Sequence, residues 1–377
     1  MHDKKIKLFV DAHCFDAEYQ GTRTFVKEIY QILSHKKDLI LYLAAYDTEV
    51  LSATFPKAEN IVILKYWNRS SIVRLAIDIP ILIKRHQIDI AHFQYITPLI
   101  KNCKQVVTIH DVLFRDYPSE FSFPFQITKR FLYKRAAKQA DIVTTVSAFS
   151  KASIEKHLSP KDNVYVVSNG VSPQFFEPYS KQEAKAFILN KFGFDKFVLY
   201  VSRIEPRKNH LTILHAFEQL KLHQKGYHLV FLGHETKQVP SLKKALRAAE
   251  SSLQKKVFIN GQVRDPDLLQ FYRAAEVFIY PSKAEGFGIP PLEAAAVNIP
   301  VICSNTSAME AFSFFGDTHI NPLDLDVLKK KLMELTTCQP PSASLSAIAE
   351  MIKTNYSWQG SAEKMYHLIK TIAHDQL

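Results

Sequence analysis

Glycine and cysteine are both scarce in this 377-residue chain, which holds 10 glycines and 4 cysteines. The usual glycine share is about 7%, and neither a GxGxxG nor a GxxxxGK[ST] string occurs. The dinucleotide-binding fingerprint and the phosphate-binding P-loop are therefore excluded. The four cysteines lie far apart and form no CxxC pair. That spacing fits neither a disulfide framework nor a zinc knuckle, and it is typical of a reducing compartment.

Long uncharged apolar runs are also missing. The longest candidate, residues 76–83, contains Asp78 and Pro80, so the sequence predicts no transmembrane helix. The first twelve residues lack the pattern of a secretory signal. We therefore expect a cytoplasmic protein, one that could also lie at the inner face of the membrane.

Positive charge is in excess, with 48 Lys+Arg against 37 Asp+Glu. Such a surplus favours nucleic acid, a membrane surface or a phosphorylated ligand as partner. Two stretches, residues 115–138 and 65–85, interleave the cations with aromatic side chains. Stretches of this kind can dock peripherally on an anionic membrane. Alternatively, the aromatic rings face the core and the cations are solvated, and the sequence leaves both interpretations open.

Short β-branched runs alternate with stretches of helical spacing along the whole chain. Seven runs precede residue 195 and five follow it. Nearly all-apolar strands that alternate with helices indicate parallel sheets covered on both faces. Twelve strands exceed the usual size of one sheet, so we predict an α/β protein with two doubly wound domains of about six strands each. We place these domains at 1–172 and 173–355, with a terminal helix at 356–377 that packs toward the N-terminal domain.

The most informative stretch is residues 277–305, which predicts a strand, a glycine-containing loop, a helix and another strand. Backbone N–H groups of residues 287–289 and the helix N-terminus suit an anionic or hydroxylated ligand. Glu285 and Glu293 could each accept hydrogen bonds from ligand hydroxyls. Alternatively, Glu293 only complements the helix dipole and Glu285 is solvated.

Three cations follow another predicted strand and precede a helix: Arg203, Arg207 and Lys208. Ligands of open α/β sheets lie at this carboxyl edge, and three cations there suit a diphosphate. In the N-terminal half, His110 and Asp111 end one strand, and Gly21–Arg23 join the first strand to the first helix. A lone histidine is more often structural, and most such turns only connect elements.

Two Asp-x-Asp strings have simpler explanations than metal binding. Asp265 precedes a proline and a predicted helix, which is the pattern of an N-cap. Asp324 likewise stands just before a predicted helix. We therefore expect neither string to hold a metal ion.

These motifs, in this order, resemble those of retaining glycosyltransferases of family 4, whose fold is GT-B. The strings that carry the resemblance run over nearly the whole chain: QGTRTFVKEI, TIHDVLF, TTVSAFSKASI, VVSNGVS, VSRIEPRKN, FLGH, GQVRDPDLLQFYRAAEVFIYPS, EGFGIPPLEAAA with its E-x7-E spacing, and YSWQGSAEKMY. The resemblance implies two doubly wound Rossmann-like domains facing a central cleft.

The resemblance also implies a role for each matching residue. Arg203 and Lys208 match the pair that neutralises the donor diphosphate, and Glu293 matches the acid that binds the ribose. Glu285 faces the donor sugar, and His110 lies beside the reacting centre. The donor-binding residues implied by the resemblance are Arg203, Arg207, Lys208, Val263, Arg264, Phe287, Gly288, Ile289 and Glu293, with Val263 and Arg264 bordering the base. The loop facing donor phosphates and acceptor matches Gly21, Thr22 and Arg23. Two departures stand out, because many relatives have Gly-Arg in place of Ser202-Arg203 and a more glycine-rich loop in place of GTR.

The implied reaction moves a hexose from a nucleoside-diphosphate sugar to a glycan or lipid-linked glycan, without a metal or other cofactor. GDP-mannose is the first candidate donor, because the IEPRKN string resembles bacterial mannosyl- and hexosyltransferases of surface-glycan synthesis. Alternatives are a GT-B sugar-nucleotide epimerase and a non-catalytic binder of sugar nucleotides. A nucleic-acid-binding protein is disfavoured, because no RRM, KH or helix-turn-helix pattern occurs and the acidic pair would repel a polyanion.

Overall fold

The computed structural model describes residues 5–16, 21–55, 57–261 and 263–374, and the chain divides into two compact units. Unit 1 comprises residues 1–170 and 358–377, and unit 2 comprises residues 171–357. Two parallel sheets with helices on both faces form the two units, as the apolar runs predict. Among the described residues no helix is both long and apolar enough to span a membrane.

Unit 1 contains a seven-stranded parallel sheet with the order β3-β2-β1-β4-β5-β6-β7. Its strands are β1 Ile6–Asp11, β2 Leu39–Ala45, β3 Ile61–Lys65, β4 Ile90–Gln94, β5 Lys104–Thr108, β6 Ile142–Thr145 and β7 Val164–Val166. Its helices are α1 Gly21–Leu33, α2 Thr48–Thr54, α3 Ser71–Val73, α4 Ile79–His86, α5 Leu113–Asp116, α6 Phe123–Gln139 and α7 Ala148–Leu158. A π-helical turn, Arg74–Asp78, joins α3 to α4, so residues 71–86 form one continuous helical segment.

Unit 2 contains a six-stranded parallel sheet with the order β10-β9-β8-β11-β12-β13. Its strands are β8 Phe197–Val201, β9 His228–Leu232, β10 Val257–Asn260, β11 Val277–Tyr280, β12 Val301–Ser304 and β13 His319–Ile320. Its helices are α8 Lys181–Phe192, α9 His210–Gln219, α10 Pro240–Ala248, α11 Ser251–Gln254, α12 Asp265–Ala274, α13 Ile289–Ala296, α14 Leu325–Thr337 and α15 Ser342–Asn355. The described residues thus hold thirteen strands rather than the expected twelve. The additional strand, β13, has only two residues, too few for a periodic pattern.

The last helix, α16 Trp358–His374, belongs to unit 1. Its Trp358 ring packs edge-on against Phe25 of α1, with the ring centroids 6.3 Å apart. Glu363 pairs with Lys36 at 2.7 Å, and the Tyr366 hydroxyl donates to Asp38 at 2.6 Å. The chain therefore returns after unit 2 to complete the fold of unit 1.

Both sheets reverse their strand order at one place, between β1 and β4 in unit 1 and between β8 and β11 in unit 2. A crevice opens at such a switch point, outside the carboxyl ends of the two strands, because the flanking connections leave on opposite faces. The loops after β8 and β11 hold the three cations and Glu285, and Glu293 lies on helix α13, which follows the second loop. The topology of unit 2 therefore brings these two motifs to one sheet edge.

Candidate functional site

The loop that leaves β8 holds the three cations in a fixed backbone path. A 3-10 turn, Pro206–Lys208, is followed by Asn209 in the left-handed region with φ 60°. The Asn209 amide donates to Pro322 O at 2.8 Å, which fixes this turn. At Gly233, which follows β9, a Cβ atom would lie 2.1 Å from Ser202 O. Only glycine therefore allows the two loops to pack this closely.

Glu285 is the centre of the buried polar network in unit 2. Its carboxylate pairs with Lys208 and, at 3.2 Å, with Nη1 of Arg207. The Tyr280 hydroxyl accepts from Lys208 at 3.2 Å and donates to Glu285 at 3.1 Å. Arg207 also pairs with Glu205 and donates to the carbonyl of Ala284. Buried ion pairs thus connect the loop after β8 to the loop after β11.

Opposite charges offset the effect of burial in this network. Burial alone would raise the pKa of Glu285, but Lys208 and Arg207 outweigh it and lower that pKa to about 2. Burial lowers the pKa of Lys208 to about 8, a shift that Glu285 partly counteracts. Both groups are therefore charged at neutral pH, because the carboxylate and the ammonium each stabilise the ionised form of the other.

Anionic ligands suit the groups that remain available at this edge. Three cations face two carboxylates, Glu205 and Glu285, which leaves an excess of one positive charge. Arg203 is exposed and lies 3.6 Å from Glu205. Lys208 has three N–H donors, of which Glu285 and Tyr280 take two. Arg203 and the third Lys208 donor can therefore act on a phosphate group.

The E-x7-E segment turns sharply between its two carboxylates. Gly288 precedes α13 with φ 101°, and a Cβ atom there would lie 3.0 Å from Met309 Cγ. Helix α13 starts at Ile289 and has two prolines in its first turn. Because proline has no N–H group, the donors at this helix start come mainly from the backbone of residues 287–289. Glu293 lies half-buried on α13 and accepts a hydrogen bond from Tyr272 at 2.8 Å.

Val263 and Arg264 lie directly before α12, and the Arg264 side chain is exposed. Arg264 Nε lies 3.2 Å from Asp267. The expectation that Asp265 caps this helix is wrong, since Arg264 occupies the N-cap position and Asp265 is the first helical residue.

Asp324 does cap α14, as expected, because its side chain accepts from Val327 N at 2.9 Å. The first Asp-x-Asp string is likewise tied to protein groups. Asp267 pairs with Lys191 at 2.7 Å as well as with Arg264. Both strings therefore take part in helix starts.

His110, after β5 in unit 1, belongs to a buried network of uncharged side chains. Its Nε2 lies 2.8 Å from Gln94 Oε1, and Gln94 Nε2 lies 3.3 Å from His92 Nε2. His92 in turn contacts Tyr30 through Nδ1 at 2.5 Å and Thr108 through Nε2 at 2.7 Å. Burial lowers the pKa of both histidines to about 3, so both rings are neutral at physiological pH.

The hydrogen bond with Gln94 defines the tautomer of His110. An amide oxygen only accepts, so the contact with Gln94 Oε1 assigns the proton of His110 to Nε2. The Nδ1 atom of His110 is then an acceptor. The neighbouring Asp111 accepts from Leu113 N at 3.2 Å, which fixes the chain after His110.

Gly21, Thr22 and Arg23 do not form the expected connecting loop. They lie in helix α1, and the Arg23 guanidinium lies 5.0 Å from the centre of the Phe15 ring. The preceding Gln20 of the quoted motif lies outside the described residues.

Sequence reasoning did not single out four polar residues that complete these networks: Glu205, Tyr280, His92 and Gln94. A signal for the last two was present, because polar side chains are unusual in a strand that is buried on both faces. Glu205 lies inside the IEPRKN string, and Tyr280 ends β11.

Two family models match the chain, one for each unit. Residues 21–175 match the model described as Glycosyltransferase Family 4, and residues 181–350 match the model described as Glycosyl transferases group 1. Each unit is therefore similar to one glycosyltransferase domain family. The glycosyltransferase class implied by the sequence motifs is therefore confirmed.

Curated relatives of these glycosyltransferase units include two bacterial mannosyltransferases. The serotype-specific mannosyltransferase WbdA of Escherichia coli is 26% identical over 229 residues, which are 60% of this chain and 28% of the relative. The O-antigen chain mannosyltransferase RfbU of Salmonella typhimurium is 31% identical over 229 residues, 60% of this chain and 59% of the relative. The chain thus spans between about a quarter and three fifths of the length of these relatives.

Among solved structures, sucrose-phosphate synthase from Thermosynechococcus elongatus superposes with a TM-score of 0.77. It is 18% identical, and the match covers 98% of this chain and 99% of that one. The predicted GT-B architecture of two Rossmann-like α/β domains is therefore confirmed.

Proposed function

We propose that this chain is a retaining, metal-independent glycosyltransferase. It moves a hexose from a nucleoside-diphosphate sugar to a glycan or lipid-linked glycan acceptor. The observation that carries the proposal is the network at the switch point of unit 2, where Lys208, Arg207 and Glu285 pair in a buried site beside the exposed Arg203.

The chemistry of the leaving group explains why such a network is useful. The bond between the anomeric carbon and the diphosphate oxygen breaks, and the electron pair remains on the diphosphate. Cations already oriented toward this charge stabilise the transition state without reorganising. Here Arg203 and Lys208 supply that charge. Glu285 keeps Lys208 protonated and itself faces the donor sugar, and Glu293 binds the ribose hydroxyls.

In this proposal the anomeric configuration is retained because the acceptor attacks the sugar on the face from which the diphosphate leaves. The acceptor oxygen bonds to the anomeric carbon, and its proton passes to the departing phosphate oxygen. No protein nucleophile is then required. Neutral His110 contributes an uncharged acceptor, Nδ1, that orients a sugar hydroxyl, and the excess of protein cations takes the role that a metal ion has in other transferases.

Mannose from GDP-mannose is the first donor to test. Both relatives described above are named as mannosyltransferases, and the IEPRKN string points the same way. The glycan acceptor is proposed by the same analogy, since one of these relatives is named for the O-antigen chain.

A thermal-shift screen with GDP, UDP, ADP, TDP and their sugar conjugates, without added metal, tests the proposal. A ligand at about 100 times its dissociation constant stabilises the folded state by about 2.7 kcal/mol, which is several degrees for units of this size. We expect a shift with one nucleotide family, lost in Lys208→Ala. A screen without any shift would contradict the donor site.

Turnover distinguishes the proposal from its alternatives. A mannosyl product that keeps the anomeric configuration of the donor, formed equally well with EDTA present, is the expected result. Epimerised sugar nucleotide without transfer would indicate the epimerase, and binding without turnover would indicate a non-catalytic binder. Loss of activity in EDTA would contradict the metal-independent mechanism.

A further inference from the structure

Exposed large apolar side chains are concentrated in one part of unit 1. Seventeen such side chains occur among the described residues, and ten of them lie in residues 67–131. The ten residues are Trp67, Ile72, Ile77, Ile81, Leu99, Ile100, Phe123, Phe125, Ile127 and Phe131. We call this set the apolar-basic face. Single exposed apolar residues are ordinary, but a concentration of them marks an interaction surface.

The outer side of α6 carries the largest of these side chains. Phe123, Ile127 and Phe131 are spaced by four residues and therefore lie on one side of the helix. Phe123 is 73% exposed and Phe131 is 69% exposed. The opposite side of the helix is buried through Tyr133, Ala136 and Ala137. The helix is thus apolar on both sides, and only one of them has a partner among the described residues.

The neighbouring elements extend this face. Arg135 of α6 donates to Pro98 O at 3.0 Å, and Lys101 donates to Gln139 O at 3.0 Å. These bonds hold the loop with exposed Leu99 and Ile100 against α6.

The helical segment 71–86 packs against the same core as α6. Its Ile79 and Ile83 share one core cluster with Tyr133 of α6, so both elements pack on the same face of the sheet. Burial and the nearby charge of Arg74 both lower the pKa of Lys129, which places Arg74 near α6. The outer residues of segment 71–86 and α6 therefore face solvent on the same side of unit 1.

Positive charge accompanies the apolar residues throughout. Helix α6 contains five cations and no acidic residue, and segment 71–86 contains three Lys/Arg with Asp78 as its one acid. Asp78 is buried and accepts from Trp67 N at 3.1 Å. A second copy of the chain would present the same charge and would be repelled. Apolar side chains surrounded by cations instead suit the surface of an anionic bilayer. The apolar side chains enter its interfacial region, and the anionic headgroups attract the Lys and Arg side chains.

We propose that the apolar-basic face docks unit 1 on a membrane surface rich in anionic phospholipid. Phe123, Ile127 and Phe131 enter the boundary between headgroups and acyl chains. Arg130, Lys134 and Lys138 interact with the lipid phosphates around them. This docking does not depend on the proposed transfer reaction, so the two can fail separately.

Vesicle co-sedimentation of the full chain tests the proposal. We expect binding to phosphatidylcholine vesicles that contain phosphatidylglycerol, and at least tenfold weaker binding to phosphatidylcholine alone. The charge-dependent part should disappear at about 1 M salt, where the Debye length is about 3 Å. Equal binding to both vesicle types, or none to either, would overturn the proposal, and an acidic protein partner would then be the better explanation.

Surface variants identify the side chains responsible. The combined change Phe123→Ser, Ile127→Ser and Phe131→Ser should weaken vesicle binding at least tenfold, and so should Arg130→Gln, Lys134→Gln and Lys138→Gln. A matched control removes three exposed apolar residues of unit 2: Leu189→Ser, Leu323→Ser and Met333→Ser. This control should bind as the unmodified chain does. Unchanged binding by the α6 variants, or an equal loss in the control, would overturn the assignment to this face.

Intrinsic fluorescence gives a second readout without mutation of α6. The chain has two tryptophans, of which Trp67 is 82% exposed and Trp358 is 3% exposed. Docking should shift the emission of Trp67 to shorter wavelength as vesicles are added, and Trp67→Phe should remove the shift. An emission spectrum unchanged by saturating anionic vesicles would contradict contact at this end of the face.

Discussion

The two units share one topology, yet their switch points differ in chemistry. In unit 2 the edge between β8 and β11 is ionic, with Lys208 and Arg207 paired to Glu285. In unit 1 Asp11 at the end of β1 pairs with Arg74 at 3.5 Å, but the neighbouring network at the ends of β4 and β5 is neutral, where His110 and Gln94 share a hydrogen bond. Fold alone therefore does not determine what an edge binds; the side chains at the strand ends do.

This difference fits a division of labour in the proposed reaction. A diphosphate leaving group needs fixed positive charge, and ion pairs keep Lys208 charged although it is buried. A sugar hydroxyl needs an uncharged acceptor that does not titrate near neutrality. Burial lowers the pKa of His110 to about 3, which gives unit 1 such an acceptor.

The largest effect should come from breaking the ionic network of unit 2. Lys208→Met leaves Glu285 buried with one cationic partner fewer, and we expect turnover to fall about 100-fold because a donor aimed at the leaving group is lost. Stability should also fall, by about 3 kcal/mol, because a buried charge loses its partner. Steady-state kinetics and urea unfolding measure the two effects.

A double variant separates charge balance from catalysis. Lys208→Met with Glu285→Gln removes both members of the pair and should recover most of the lost stability, but not the turnover. Full activity in Lys208→Met would remove this lysine from the mechanism. Recovered activity in the double variant would show that the pair is only structural.

The neutral network of unit 1 should respond differently. Gln94→Leu removes the acceptor of His110 Nε2, so the ring loses its fixed orientation. We expect kcat to fall about tenfold with the KM of the donor unchanged, since positioning errors of this kind affect the reacting geometry. A fall in donor affinity instead would contradict the division between the units.

Gln105 provides the matched control for Gln94. It is a buried glutamine in the neighbouring strand β5, and its side-chain amide has no hydrogen-bond partner among the described residues. Gln105→Leu should leave kcat unchanged and leave stability equal or improved, because burial of an unpaired amide is unfavourable.

Acid should weaken unit 1 before unit 2. His92 and His110 have pKa values lowered to about 3 by burial, against about 6.5 when unfolded. Their contribution to stability is therefore complete above about pH 6.5 and is lost as the pH falls toward 3. Among the described residues of unit 2, the pKa of His210 is lowered to about 3 by burial and then by Lys208, and burial also lowers the pKa of His228. Between about pH 7 and about pH 5.5, each histidine whose pKa is lowered to about 3 lowers the free energy of unfolding by about 1 kcal/mol.

Hydrogen exchange resolves the two units in one experiment. Amides of β4 and β5 should lose more protection than those of β8 and β11 over that pH range. The carboxylate of Glu285, with its pKa lowered to about 2, begins to lose its contribution only below about pH 4.5. Equal loss in both sheets at pH 5.5 would contradict the contrast between a neutral and an ionic network.

The sequence predicted most strands, because runs such as 39–45 and 197–201 are apolar on both faces of a parallel sheet. It could not predict β13, which has two residues. It also placed Gly21–Arg23 in a connecting loop, whereas these residues lie in α1. These misses occur where the local signal is short or absent.

Candidate site residues were easier to find than their partners. Lys208 and Glu285 stand out because each follows a strand, but the ion pair between them joins positions 77 residues apart. No local pattern predicts that Tyr280 bridges the two, or that Gln94 contacts His110 across two strands. Such pairings depend on strand order, which the sequence alone leaves open.

The smallest expected effect concerns the hydrogen bond that orients Glu293. Tyr272→Phe removes the hydroxyl that donates to this carboxylate at 2.8 Å. We expect KM for the donor to rise about threefold and stability to fall by about 1 kcal/mol, which is typical of one hydrogen bond. Tyr227→Phe is the matched control, because its hydroxyl donates to Thr336 O at 2.9 Å, a group outside the candidate site. The control should lose similar stability with KM unchanged. An equal rise of KM in both variants would contradict this role of Tyr272. Donor affinity would then depend on the general stability of unit 2 and not on the orientation of Glu293.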